Sequence, residues 1–356
     1  MRSTQNINIC CGPAEPVPLT PSGTTDKTNT MERNLSIDLL RAIGLLMVIL
    51  AHVGPCALLF ELRAFDVVLM VFVSGLTFAI KKDFNYVQYV KNRTLRLIVP
   101  TYIFLTVYFL LHYAFANQFD VKRIISSYTL INGIGYVWII RIFLLVMIVA
   151  PMIYKITTKL SIRQLLLLYA LILIAADLLV AFSANMQSPI QKILTLVVIP
   201  LMGYSVPYSI AIKVKEHNDS IPILLPTILM LLIAAVAIYA MQGNPLLIYP
   251  FKSPPRSVYL LYGVTISIIL YLIINKIEKQ GRLSLSIIAF GGGKIGQNTI
   301  WIYFWHIPFV NTVNEYIGVW EIRYMAILSL SISCFALQYI IVGASHSHFL
   351  KRYFVG

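Results

Sequence analysis

Ten long apolar segments constrain the fold of this chain more than any other feature of its sequence. Most are close to the roughly 20 residues that an α-helix needs to cross the hydrocarbon core of a bilayer. The 356 residues are 58% hydrophobic and only 12% charged, whereas soluble domains carry about 25% charged residues. The sequence therefore predicts an all-α polytopic integral membrane protein with about ten transmembrane helices and no soluble domain. The segments are residues 35–54, 65–80, 97–116, 135–154, 163–183, 192–211, 223–241, 256–275, 295–315 and 323–343.

The basic residues are distributed unevenly over the two sides of this predicted bundle. An even number of crossings puts both termini on one side, which carries 19 of the Lys and Arg residues against 7 on the other. Because cytoplasmic loops are rich in Lys and Arg, both termini are expected in the cytoplasm. The net charge of +14 is then a topology signal, and no nucleic-acid partner is expected. Residues 1–33 are polar, which predicts a disordered cytoplasmic tail before a membrane domain at 34–350.

The first segment carries three polar side chains inside an apolar helix that Ser36 is expected to cap. A charge at the bilayer centre costs roughly 3 kcal/mol on insertion scales, so such residues are rarely incidental. Arg41 and His52 are separated by nearly three whole turns and therefore lie on one face, about 16 Å apart. Asp38 precedes Arg41 by one turn and can neutralise it. We expect an ion pair near one membrane surface and a histidine deep toward the other.

Two further arginines are predicted at the depth of Arg41. The loop after the second segment ends in Arg93-Thr-Leu-Arg96, and residues three apart share a helix face. Three converging guanidinium groups would form a clamp for phosphates, which arginine binds in bidentate fashion. The alternative is that Arg93 and Arg96 only anchor the helix to anionic lipid headgroups.

The histidines within the predicted spans are candidate catalytic groups. A neutral imidazole at His52 can act as general base on a hydroxyl. Asp66 begins the second segment at a similar depth and could orient that imidazole. The ninth segment carries His306, with Tyr303 on a polar side of the same helix. The alternatives are structural: a histidine that hydrogen-bonds a neighbouring helix, and a carboxylate that caps its own helix.

The remaining polar residues and motifs give weaker indications of a functional site. Arg141 and Asp177 also lie within predicted spans and could pair with each other. The glycine run at 290–294 lacks the P-loop pattern, which favours a simple turn. The four cysteines show no CxxC spacing, so neither a disulfide framework nor a metal site is expected.

Taken together, the motifs resemble those of the membrane acyltransferase-3 family, which includes bacterial sugar and polysaccharide O-acetyltransferases and fucose-4-O-acetylase-like proteins. The resemblance covers the whole ten-segment region, and the order and spacing of the motifs carry it. The motifs are Ile37-Asp38-Leu-Leu-Arg41 followed after ten residues by His52, Phe72-Val-Ser74-Gly75, Arg93-x-x-Arg96 before Pro100, Tyr136-Val-Trp138 with Ala150-Pro151, and Ile302-Tyr303 leading to His306.

The resemblance implies a membrane-bound O-acyltransferase of a bacterial inner membrane. Acyl-CoA would bind from the cytoplasm, and the acceptor would be a sugar hydroxyl of a cell-surface polysaccharide or its precursor, such as O-antigen, capsule or exopolysaccharide. Acetyl is the expected acyl group, with succinyl as the alternative. The residues implied are Arg41, Arg93, Arg96, Asp38 and Ser74 for the donor, and His52 as base with Asp66, His306 and Tyr303 for catalysis.

Two other functions stay open on the sequence. A transporter or flippase for a glycan or a lipid-linked intermediate also lines its pathway with intramembrane Arg and His residues, but it would not consume acyl-CoA. A non-enzymatic subunit of a polysaccharide export machine would use the same residues as contacts between helices. Such a subunit would tolerate conservative replacement of His52.

Overall fold

The computed structural model describes residues 34–80, 85–116, 120–184, 186–241, 243, 247–280 and 294–354. Within these ranges all regular structure is helical, which confirms the all-α prediction. The predicted tail at 1–33 lies outside the described residues, and so does the glycine run up to residue 293.

The helices follow one another along the chain with short connections. Three short 3-10 helices, Arg63–Phe65, Asn218–Ser220 and Tyr249–Lys252, and the four-residue α-helix Lys294–Gln297 are left without a number. The helices are α1 Leu35–Ala51, α2 Ala57–Leu62, α3 Asp66–Ile80, α4 Tyr86–Ala116, α5 Val121–Tyr128, α6 Trp138–Lys159, α7 Ile162–Ala184, α8 Pro189–Glu216, α9 Ile221–Met241, α10 Ser257–Lys279, α11 Thr299–Tyr316, α12 Trp320–Ala344 and α13 His348–Phe354.

Seven of the described helices, namely α4, α6, α7, α8, α9, α10 and α12, are long and apolar enough to cross a membrane. The chain is therefore a multi-pass helical membrane protein. The three remaining predicted segments coincide with α1, α3 and α11, which are helical but shorter or more polar: α1 has 17 residues and α3 has 15. The total of ten crossings stays a prediction.

Helix α3 lies at the centre of the packing. The helices α1, α8 and α10 all contact it, and eleven of its 15 residues are buried. A helix that is surrounded by other helices must be apolar on every side, which explains the almost uninterrupted apolar sequence of α3. The few polar residues of α3 are Asp66 at one end and Ser74 and Thr77 toward the other.

Close approach of α3 to α8 depends on Gly75. A Cβ atom at this position would lie 2.5 Å from the carbonyl oxygen of Tyr208 and 2.8 Å from the Cβ atom of Ala211. Small residues at helix crossings allow backbones within a membrane to pack closely. Gly75 thus allows the end of α3 that carries Ser74 and Thr77 to pack directly against α8.

The start of α1 differs from the prediction. Asn34, and not Ser36, caps the helix: its side-chain oxygen accepts a hydrogen bond from the backbone N–H of Ile37 at 3.2 Å. Ser36 lies within the first turn, where its hydroxyl donates to the carboxylate of Glu278 on α10. Asparagine and serine are both common N-cap residues. Because the Ser36 hydroxyl is bonded to α10, Asn34 caps the helix.

We predict that Gly75→Ala lowers the unfolding temperature of the purified protein, because the added methyl group forces α3 away from α8. Overpacking of this kind costs about 1–3 kcal/mol. The matched control is Gly343→Ala in α12, where nothing lies within 4 Å of the added Cβ atom. Equal unfolding temperatures for the two variants in the same detergent would contradict this description of the α3–α8 contact.

Candidate functional site

Two cavities lie along the same three helices, α1, α3 and α6. The first, the arginine cavity, has a volume of about 140 Å³ and is lined by Arg41, Ser74, Thr77, Arg93 and Arg96 together with aromatic and apolar residues. The second, the histidine cavity, has a volume of about 750 Å³ and is lined by His52, Asp66, Tyr136, Arg141, Lys252 and Tyr303 among others. The structure thus separates the predicted site residues into two groups.

Two hydrogen bonds to described residues hold Arg41 in the arginine cavity. Its Nη1 donates to Asp38 Oδ1 at 2.9 Å, and its Nη2 donates to the hydroxyl of Thr77 on α3 at 2.7 Å. The predicted pairing of Asp38 with Arg41 is therefore confirmed. The Asp38 side chain is almost fully buried beside the cavity, whereas that of Arg41 is 27% exposed. The guanidinium group is held in place and remains accessible.

Arg93 and Arg96 reach the same cavity from α4. Their spacing of three residues puts both on one face of that helix. None of the described residues that line the cavity is a carboxylate, so its lining is positively charged. Ser74 also lies here, and its hydroxyl donates to the carbonyl of Met70 at 3.1 Å. It therefore lies with the arginines and not beside His52.

His52 belongs to a cluster of four aromatic rings at the histidine cavity. The ring centroid of His52 lies 5.1 Å from that of His306 and 4.9 Å from that of Tyr136. Tyr303 contacts His306, with 4.9 Å between the ring centroids, and its hydroxyl donates to the backbone carbonyl of Tyr136 at 2.6 Å. Residues from α1, from α11 and from the segment before α6 thus form one cluster, and Tyr136 belongs to it although its role was not predicted.

The two histidines differ in their surroundings. His306 is completely buried, and its Nδ1 atom contacts the carbonyl oxygen of Tyr303. His52 is the C-cap of α1, is only partly buried and lines the histidine cavity, whereas His306 does not. One buried nitrogen in each ring, Nδ1 of His52 and Nε2 of His306, has no hydrogen-bond partner among the described residues. The backbone carbonyl of His52 accepts a hydrogen bond from Asn314 of α11 at 2.8 Å. His52 is therefore the imidazole that a molecule in the cavity can reach.

The two cavities follow each other along two helices. On α3, Val67 lines the histidine cavity and Val71 lines the arginine cavity, while on α6 Ile139 and Phe143 do the same. Four residues of α-helix rise only about 6 Å and return to nearly the same face. The cavities are therefore adjacent, and α1 joins them through Arg41 at one end and His52 at the other.

Comparison with known families agrees with this arrangement. The sequence model of the acyltransferase-3 family, described as an acyltransferase domain, matches residues 34–344. The chain belongs to the acyltransferase-3 family. No curated protein and no solved structure matches it. Together with the apolar helices, membership shows that the chain is a membrane acyltransferase.

Asp66 does not orient His52 in this acyltransferase, contrary to the prediction. Its two carboxylate oxygens accept hydrogen bonds from Arg63 Nη1 at 2.9 Å and from Lys252 Nζ at 2.9 and 3.0 Å. Two buried cations attract the carboxylate more strongly than a neutral imidazole can. Burial lowers the pKa of Lys252, and the neighbouring Asp66 carboxylate opposes that shift.

The predicted pair of Arg141 and Asp177 is also wrong. Arg141 Nη1 donates to the carbonyls of Leu130 and Ile131, each at 2.7 Å. Asp177 accepts hydrogen bonds from the backbone N–H and the hydroxyl of Ser257 at the start of α10. Depth in the membrane suggested the pair, but the two side chains face different neighbours.

Local sequence patterns did not reveal the two cations that hold Asp66. Arg63 and Lys252 lie between the predicted apolar segments, yet Arg63 is 1% exposed and Lys252 is 9% exposed. Arg63 was nevertheless detectable, because it precedes Asp66 by three residues and can reach it across one helical turn. Lys252 is separated from Asp66 by 186 positions, and no local spacing could have linked them.

We predict that Asp66→Asn destabilises the acyltransferase, because it leaves Arg63 and Lys252 buried without a countercharge. Loss of one member of a buried ion pair costs about 3–5 kcal/mol. Lys252→Gln should cost less, since Asp66 keeps Arg63. Asp177→Asn is the control, because its partners are neutral. Thermal unfolding of the four proteins should give the lowest midpoint for Asp66→Asn, and a midpoint equal to that of Asp177→Asn would contradict the assignment.

Proposed function

We propose that this acyltransferase moves an acetyl group from cytoplasmic acetyl-CoA to a sugar hydroxyl of a cell-surface polysaccharide or its precursor. The observation that carries the proposal is the adjacency of a cavity lined by three arginines and a cavity that contains an accessible histidine. Acetyl-CoA has anionic phosphates at one end and a thioester at the other, and it needs both environments in that order.

The arginine cavity suits the phosphates of the donor. Arginine binds phosphate oxygens in bidentate fashion, and such charge-assisted hydrogen bonds are among the stronger ones. Arg41 is already oriented by Asp38 and Thr77, so little side-chain entropy is lost when it binds. From Arg41 to His52 the helix rises about 16 Å, which the extended pantetheine arm can cover.

In the histidine cavity, His52 acts as general base. It accepts the proton of the sugar hydroxyl, whose oxygen forms a bond to the thioester carbonyl carbon. The carbon–sulfur bond then breaks, and the thiolate of CoA receives the proton from the His52 imidazolium. His306 lies against His52 without lining the cavity, so it positions the base. Tyr136 contacts the rings of both histidines, and Tyr303 contacts that of His306.

The direction of transfer follows from the distribution of basic residues. The side of the bundle that includes Arg93 and Arg96 is the one rich in Lys and Arg, which favours a cytoplasmic location for the arginine cavity. Both termini would then be cytoplasmic in a bacterial inner membrane, and the acceptor would reach His52 from the opposite side. Labelled acetyl-CoA and surface polysaccharide in isolated membranes test the whole reaction.

We predict that His52→Ala lowers acetyl transfer from labelled acetyl-CoA to surface polysaccharide by about 10²–10⁴-fold, because a general base contributes that much. The control is His112→Ala: His112 stacks on Tyr108 of the same helix and lines neither cavity. Full transfer by His52→Ala, with the protein folded at normal abundance, would refute the assignment of the base.

We predict that Arg96→Gln raises the KM for acetyl-CoA by about tenfold, since one charge-assisted contact with a phosphate is lost. The kcat should change little, because the arginine cavity is distant from the thioester. Lys155→Gln on α6 is the matched control, because it removes an exposed cation away from both cavities. An unchanged KM for Arg96→Gln would show that the arginines only anchor α4 to lipid headgroups.

A further inference from the structure

The histidine cavity carries an excess of positive charge that general base catalysis does not require. Among the described residues that line it, Arg63, Arg141 and Lys252 are cationic and Asp66 is the single carboxylate. One carboxylate neutralises one cation, so two positive charges remain beside His52. Buried charge without a partner is costly, and its presence in a cavity points to a ligand of opposite sign.

The three cations of the histidine cavity, which form the cation cluster, differ in their contacts. Arg63 is 1% exposed and pairs with Asp66 at 2.9 Å. Lys252 contacts the same carboxylate, and its side chain is 10% exposed, so its third N–H can still donate. Because one carboxylate compensates only one of these two cations, the pair of Arg63 and Lys252 keeps one net positive charge beside the cavity.

Arg141 approaches the same cavity from α6. Its described partners are the neutral carbonyls of Leu130 and Ile131, and its buried Nε atom has no hydrogen-bond partner among the described residues. Lys252 Nζ lies 5.6 Å from the ring centroid of Trp138, which precedes Arg141 by three residues and shares its helix face. Lys252 and Arg141 thus both border the cavity beside α6.

Aromatic rings hold the cluster in place. The guanidinium carbon of Arg63 lies 4.2 Å from the ring centroid of Phe60 and 5.0 Å from that of Tyr249, and Lys252 Nζ lies 5.7 Å from Tyr249. The nearby carboxylate of Glu61 does not line the cavity. It accepts hydrogen bonds from the backbone N–H groups of Ile248 and Tyr249. The cations are therefore rigid, and Glu61 is engaged elsewhere.

We propose that the acceptor is an anionic glycan, whose negative group binds Lys252 and Arg141 while its reactive hydroxyl faces His52. The inference rests on the proposed function, because it assigns the acceptor to the histidine cavity. A carboxylate of an acidic sugar and a phosphate on a glycan offer the same anionic oxygens, and both fit the two donors. A neutral sugar would leave the excess positive charge of the cavity uncompensated.

The test measures binding without any acyl donor. The unfolding temperature of the full-length protein in nanodiscs is recorded with p-nitrophenyl β-D-glucuronide, with the neutral p-nitrophenyl β-D-glucoside, and with glucose 6-phosphate against glucose. A ligand that binds only the folded state raises this temperature. The anionic probes should raise it and the neutral ones should not, and the larger of the two anionic shifts identifies carboxylate or phosphate as the preferred group.

Variants locate the binding site. Lys252→Gln should weaken the apparent affinity for the anionic probe by about tenfold, while Lys252→Arg retains it, and Arg96→Gln in the arginine cavity should leave it unchanged. Equal shifts with neutral and anionic sugars, no shift with either anion, or a loss in Arg96→Gln alone would overturn the proposal. Because no acetyl-CoA is present, failure here is distinguishable from failure of the proposed acetyl transfer.

Discussion

The structure depends on how charge is buried among apolar helices. Asp66 stands at the start of the most buried helix and is paired with Arg63 from the preceding turn and with Lys252 from the segment before α10. This ion cluster ties α3 to α10 and, through Trp138, lies against α6. At the other end, Asp38 and Thr77 join Arg41 of α1 to α3. Buried charges are stable only when paired, so these contacts fix the helices that line both cavities.

The proposed acyl transfer depends on the positions in which these paired charges hold the helices. Helix α1 presents Arg41 at one end and His52 at the other, and α3 and α6 continue both cavities along their shared faces. A single elongated donor can therefore place its anionic groups and its reactive carbonyl in separate environments. Membership of the acyltransferase-3 family agrees with the reaction class.

Sequence reasoning predicted what depends on local spacing. The pairing of Asp38 with Arg41 follows from residue spacing on a helix, and the ten helical segments follow from the length of the apolar runs. It failed where tertiary contacts decide. Lys252 approaches Asp66 from 186 positions away, Arg141 turns to loop carbonyls and not to Asp177, and contact with α10 draws Ser36 away from the helix cap. The position of a residue within an apolar segment predicts its depth in the membrane but not the direction in which its side chain points.

The most direct test of the account is a cryo-electron microscopy structure with a non-hydrolysable thioether analogue of acetyl-CoA. We expect the phosphates to contact Arg41, Arg93 and Arg96, and the thioether sulfur to lie beside His52, with Lys252 and Arg141 left free for the acceptor. Phosphates bound to Lys252 and Arg141, or a sulfur atom far from His52, would contradict the central claim that one donor molecule spans the two cavities.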